Sequence, residues 1–212
     1  MNVDRPAARE RLLLAADRLL FDRGIRATPV DEVLREAEVA AATLYAHFGT
    51  KDGLVAAALQ ARLRDWREVW DRRVLAADDD TGRLLAIFDA LADYRGGDRR
   101  VAGTESPRSE QQRSEQPSAH QPARWCAFLA ASAELRDASE PIAAALAEDT
   151  ALLGERLLQL ARPLASDPQH LADAVQLAYS GTLAAFLRGT PADPIAVGRR
   201  LARAAIAAQA ES

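Results

Sequence analysis

The sequence predicts an all-helical protein of about nine helices. Hydrophobic side chains make up 49% of the 212 residues, much of this alanine and leucine, while aromatic residues are only 5%. Alanine and leucine lead the helix-propensity scale, whereas the aromatic and β-branched side chains that favour strands are sparse. Apolar residues recur every three to four positions, and Gly, Pro, Asp and Thr stand where such runs begin and end. The length fits one large or two small domains and suffices for a sizeable core.

The first helix is predicted from Pro6 to Arg23, with Leu12, Ala16, Leu19 and Leu20 on one face and Arg11, Asp17, Arg18 and Asp22 opposite. Gly24 fits a left-handed cap that ends it. Thr28 reads as the N-cap of a second helix, with Pro29 at the first helical position. That helix continues through Val30, Val33, Leu34 and Ala37. A tight turn at Glu38-Val39 leads to a short third helix, near Ala40 to Ala46. The fourth is long, starts at Thr50-Lys51 and ends near Ala77, before the acidic run Asp78-Asp79-Asp80. The fifth covers about Thr81 to Tyr94.

The composition then changes. Residues 96–124 are rich in Ser, Gln, Arg, Glu and Pro and hold few apolar side chains, so they read as a flexible insertion. A sixth helix is predicted to resume at Trp125, and a seventh to start at Ser139-Glu140-Pro141. The eighth starts after Asp167-Pro168 and stops at Gly189. The ninth runs from Asp193-Pro194 to near Gln209.

The densest chemistry lies in Thr43-Leu44-Tyr45-Ala46-His47-Phe48-Gly49-Thr50-Lys51, directly after a helix-turn-helix pattern. A hydroxyl, a phenol, an imidazole and an ammonium fall within nine residues. Lys51 is the only lysine among 27 basic residues, and it stands at a helix start, where free N–H groups and the macrodipole already attract anions. Such groups suit phosphate oxygens.

These residues, with Ala16, Phe21, Gly24, Thr28, Val33, Ala37, Val39 and Leu54, resemble the N-terminal domain of the TetR family of bacterial transcriptional regulators. The resemblance covers roughly the first quarter to third of the chain, the usual size of such a domain. It implies a DNA-binding domain at 6–52, with its helix-turn-helix at about 29–48, and a C-terminal effector-binding and dimerisation domain at 53–212. It implies DNA contacts from Thr28, Ala40, Ala41, Ala42, Thr43, Tyr45, His47 and Lys51. Two departures stand out. Ala40, Ala41 and Ala42 replace the polar or basic side chains usual at the head of the third helix; they can touch a thymine methyl but make no bidentate base contact. Glu38 replaces the glycine usual in the turn, which implies backbone strain and an unhelpful charge near DNA.

The net charge of −4 excludes a wholesale basic protein without excluding local DNA binding. Up to Gln60 there are eight basic side chains and nine acidic ones, so weak non-specific affinity and a modest salt slope are expected. Useful affinity then calls for a homodimer. The resemblance places its interface on the last two helices, where Val175, Tyr179, Leu183, Val197, Leu201 and Ala205 fall at helical spacing. An apolar small-molecule effector would meet Leu84, Phe88, Leu91, Trp125, Phe128, Leu153 and Tyr179, although a pocket wall and a core face share that composition.

The expected function is a DNA-binding regulator, a repressor on a palindromic operator, released by its effector. The alternative is a regulator without effector, or one controlled by a protein partner. An enzyme would need convergent titratable residues in the C-terminal half, and the sequence offers no such cluster. No metal or cofactor is expected, since His120 and His170 have no partner at ligand spacing. Cys126, beside Trp125 and Phe128, reads as a core residue rather than a redox sensor. A single cysteine, an opening MNVDRPAARE without an apolar stretch, and the lack of a membrane-length apolar run suggest a cytoplasmic protein.

Overall fold

A computed structural model describes residues 6–96, 127–135 and 137–209. Those residues form nine helices and no strand: α1 (Ala8–Arg23), α2 (Val30–Ala37), α3 (Ala41–Phe48), α4 (Lys51–Leu75), α5 (Asp80–Gly96), α6 (Ala127–Glu134), α7 (Glu140–Ala161), α8 (Pro168–Arg188) and α9 (Pro194–Gln209). The expected insertion and the expected start of the sixth helix at Trp125 lie outside the described residues, apart from Gly96, which ends α5.

Most boundaries follow from cap chemistry. Asp167 accepts from the His170 N–H at 3.1 Å ahead of Pro168, and Asp193 accepts from the Ala196 N–H at 3.0 Å ahead of Pro194. Within the acidic run it is Asp79 that caps α5, accepting from the Gly82 N–H at 2.6 Å. Gly189 ends α8 with φ 68° and ψ 15°, the left-handed conformation that glycine adopts without a Cβ penalty. Two expectations are corrected. Gly24 takes φ 99° and ψ 142°, positive in φ but outside the left-handed helical region. Thr28 is not the cap of α2: Pro29 holds that position, and the Thr28 hydroxyl points back to donate to the carbonyls of Gly24 (2.8 Å) and Leu19 (3.2 Å). The open carbonyls at the end of α1 outcompete the N–H groups of α2 for that hydroxyl.

The chain divides into two compact units, and neither is continuous in sequence. One comprises Met1–Arg64 with Cys126–Ala151, the other Asp65–Trp125 with Leu152–Ser212. In the first, Leu12, Leu20, Phe21, Leu44, Leu54 and Leu59 form a core that Ala127 and Ala131 of α6 and Ile142 and Ala145 of α7 complete. Arg62, 4% exposed, is buried there with compensation: it pairs with Asp17 and lies over the Phe21 ring at 4.3 Å.

The second unit has its apolar centre on α5, where Leu84, Leu85, Ile87, Phe88 and Leu91 are all buried. Around it Trp66 contacts Trp70, Tyr94 and Tyr179, and Tyr179 meets Phe88 edge-on at 6.5 Å. The Arg156 guanidinium lies 4.4 Å above the Trp70 ring and pairs with Asp71. Helix α9 crosses so closely that a Cβ on Gly198 would stand 2.0 Å from Thr182 Oγ1 and 2.9 Å from the Phe88 ring.

Candidate nucleic-acid interface

The turn between α2 and α3 is built by the main chain. Glu38 takes φ 52° and ψ 51°, so its N–H and that of Val39 both return to the Leu34 carbonyl. Arg11 of α1 clamps this turn, donating to the carbonyls of Ala37 (2.9 Å) and Glu38 (3.4 Å). Leu44, fully buried, fixes the rotation of α3 about its axis, with half-buried Phe48 one turn on. The opposite side is left open. Ala40, Ala41, Ala42, Ala46, His47 and Tyr45 are exposed, Tyr45 by 52%, and Thr43 is half-buried. Neither α2 nor α3 has a side-chain N-cap; the third N–H of each closes onto the carbonyl of its cap residue, Glu32 onto Pro29 at 3.2 Å and Thr43 onto Ala40 at 3.0 Å.

Two of the eight expected DNA-contact residues make hydrogen bonds within the fold. Thr28 is 1% exposed with its hydroxyl engaged, as above, and offers nothing to a phosphate. The Lys51 ammonium donates to the carbonyls of Ile25 (2.7 Å) and Thr28 (2.6 Å), stapling the loop between α1 and α2 to the start of α4. Two of its three protons are taken by these carbonyls, which fixes the ammonium beside the loop. The other six lie on or beside the open side of α3.

Sequence reasoning missed Glu134. This carboxylate, at the end of α6, accepts from the backbone N–H of Ile25 at 3.0 Å and from that of Arg26. Lys51 and Glu134 therefore hold the same loop, one through its carbonyls and the other through its N–H groups. Nothing in the sequence marked Glu134, because both its partners are main-chain atoms more than a hundred residues away. Basic side chains near the interface are partly engaged with α2: Arg18 pairs with Glu36, and Arg23 with Glu32 at 2.8 Å.

The residues expected around an effector are not gathered in one unit. Leu84, Phe88, Leu91 and Tyr179 are buried in the second unit, and Leu153 is half-buried there. Phe128 packs against the core of the first unit, and Trp125 lies outside the described residues. Of the expected dimer contacts, Val175, Tyr179 and Leu183 are buried within the chain itself, where α8 packs on α9 and Tyr179 meets Trp66 of α4 and Phe88 of α5. Val197 and Ala205 are half-buried, and Leu201 is 59% exposed. The side chains that α8 leaves open are instead Leu177, 74% exposed, and Leu187, with Gly181 between them.

A short outward-facing helix braced by a second across a clamped turn is the arrangement of a helix-turn-helix regulator domain. The family model for bacterial regulatory proteins of the tetR family matches residues 12–58. Over 90 residues the chain is 34% identical to the HTH-type transcriptional regulator BetI of Burkholderia ambifaria, covering 42% of this chain and 46% of that protein. Over 93 residues it is 32% identical to the HTH-type transcriptional activator FasR of Mycolicibacterium smegmatis, covering 44% and 42%. The matched stretch thus spans about half the length of these relatives or less. The fold extends further. A TetR-family transcriptional regulator from Streptomyces coelicolor superposes with a TM-score of 0.75 over 95% of both chains at 24% identity. The regulatory protein TetR from Rhodobacter sphaeroides gives 0.68 over 92% of this chain and 97% of its own, at 22% identity. Residues 12–58 thus match the model of tetR-family bacterial regulatory proteins, and the fold of the whole chain is similar to that of TetR-family regulators.

Among the described residues no helix is long and apolar enough to cross a membrane, and no group of three or more His, Cys, Asp or Glu could hold a metal ion.

Proposed function

We propose that this protein is a DNA-binding transcriptional regulator that acts as a homodimer on a palindromic operator. The observation that carries this reading is the open side of α3, which presents Tyr45 and His47 from a clamped turn inside the stretch matched by the family model. A phenol and an imidazole there donate to phosphate oxygens and set the register of the helix in the major groove. The DNA-contacting helices are taken as lying within 6–52, with α6 and the start of α7 completing their core, and effector binding and dimerisation as functions of the rest of 53–212. Dimerisation through α8 and α9 is supported by the exposed Leu177, Leu187 and Leu201, and by Gly181, where a Cβ would meet nothing within 4 Å. A two-fold axis would place the two α3 helices about 34 Å apart, one turn of duplex.

Repression relieved by a small apolar effector is the regulatory scheme. The aromatic cluster of Trp66, Phe88 and Tyr179 supplies a suitable lining, and α4 carries residues of both units along one helix. The effector works only through unequal affinity for the DNA-competent and DNA-incompetent states.

Selection of bound duplexes from a random pool tests the reading, with a palindrome as the expected product. On the selected duplex, Tyr45→Phe combined with His47→Ala should lower affinity by about tenfold to a hundredfold, one hydrogen bond each, at unchanged thermal stability. Failure to enrich any duplex in low salt would overturn the assignment.

A further inference from the structure

The DNA-binding reading leaves open what α3 recognises, and this inference rests on that reading. The side of α3 turned away from Leu44 carries Ala42 and Ala46, one helical turn apart, with Ala41 exposed beside them. Tyr45 and His47 stand exposed on the flanks of that side. The centre of the reading face is therefore methyl groups, with no donor or acceptor beyond the half-buried Thr43 hydroxyl. A methyl cannot pair with N7, O6, N4 or N6 on a base edge. The one major-groove feature it complements is the C5-methyl of thymine, and equally that of 5-methylcytosine.

We infer that this protein selects its operator through pyrimidine C5-methyl groups, read by Ala42 and Ala46. Their separation of four residues, about 6 Å along the helix, places the two methyls within two base-pair steps of each other in each half-site. The interface itself is defined by the clamped turn, Tyr45, His47 and the family match. The alanines decide only which bases it accepts. Desolvating one methyl against another contributes about threefold to fivefold in affinity, so the preference builds from several weak contacts rather than one bidentate pair.

The test uses the full-length protein and the duplex recovered by selection. Each thymine is replaced singly by deoxyuridine, which removes the methyl and keeps every hydrogen-bonding atom. Affinity should fall threefold to fivefold at one or two positions per half-site and stay constant elsewhere. Cytosine carrying a C5-methyl at those same positions should bind better than plain cytosine. Ala46→Gly should bind thymine and deoxyuridine alike at one position; because the substitution on the DNA needs no protein variant, the result stands even if that variant unfolds. A fully deoxyuridine duplex bound as tightly as the thymine duplex overturns the inference and leaves the DNA-binding reading intact. No binding to the thymine duplex overturns both.

Discussion

The Lys51 ammonium lies 2.7 Å from the carbonyl oxygen of Ile25, and the same nitrogen reaches Thr28 O at 2.6 Å. A residue that reads in sequence as a phosphate ligand is thereby a structural staple. Lys51→Met keeps the aliphatic stem but strands two carbonyls in a part-buried loop, which should cost about 2 kcal/mol in urea unfolding. Lys51→Arg should recover only part, since a planar guanidinium fits two convergent carbonyls less well than a compact ammonium. The salt slope of operator binding separates the roles. Loss of a phosphate contact lowers the slope by about one, whereas loss of a staple leaves it unchanged. Wild-type stability in Lys51→Met would refute the staple.

Glu38 holds the left-handed conformation between α2 and α3 at φ 52°. That conformation costs a side chain about 1–2 kcal/mol, part of which glycine gives back through its freer unfolded chain. Glu38→Gly should therefore stabilise the protein by roughly 0.5–1 kcal/mol. It also removes a carboxylate from the turn that presents α3, so operator affinity should rise most in low salt. Unchanged affinity across a salt series would show that this charge does not sense the duplex.

Burial pushes the Asp149 carboxyl up to about 6. The folded chain then holds this proton more tightly than the unfolded chain, whose value is about 3.9. Between pH 4 and 6, roughly, the folded state binds more protons, so this group's contribution falls as the pH rises and levels off above the upper limit. Asp149→Asn should be neutral near pH 4 and stabilising by about 2 kcal/mol at pH 7. Paired urea titrations at the two pH values check this. An equal effect at both would remove the desolvation argument.

Gly198 admits no side chain, with Thr182 Oγ1 2.0 Å and the Phe88 ring 2.9 Å from where a Cβ would sit. Gly198→Ala should lose about 2–3 kcal/mol through overpacking between α8 and α9. Adding Thr182→Ala removes the nearer obstacle and should recover part of that loss, while the phenyl ring keeps the remainder. A double-mutant cycle in thermal unfolding reads the coupling.

The exposed leucines of α8 and α9 give the proposed dimer its own check. Leu177→Asp with Leu201→Asp should convert a micromolar dimer to monomer in sedimentation, with helical content unchanged, because both side chains are open in the single chain. A dimer that survives both charges would place the two-fold contact elsewhere.

The helices were legible from sequence because their caps and periodicity are local. Asp167-Pro168, Gly189 and Asp193-Pro194 mark α8 and α9 to within a residue. Thr28 misled because its hydroxyl had two competing sets of partners, and only the packed chain shows that the end of α1 takes it. The contact candidates on α3 came from the family resemblance, and the burial of Leu44 that turns their side outward is a property of the packed chain. The roles of Lys51, Glu134 and Arg11 did not, since each reaches main-chain atoms of another segment, and a carbonyl or N–H carries no residue-specific signature. The same limit applies to Val175, Tyr179 and Leu183: an apolar stripe suits a neighbouring helix of its own chain as well as that of a second copy.

Because α6 and the start of α7 complete the core around the DNA-reading helices, the head is stitched from two stretches, one ending at Arg64 and the other at Ala151. At ribosomal speed the interval between them is on the order of ten seconds. During that interval the nascent head exposes the apolar surface later covered by Ala127, Ala131 and Ile142, and its first loop still lacks the Glu134 carboxylate. The reading helices therefore gain their finished core only after residue 151 has been synthesised, and a message cut short after α4 yields a head that lacks Ala127, Ala131, Ile142 and the Glu134 carboxylate.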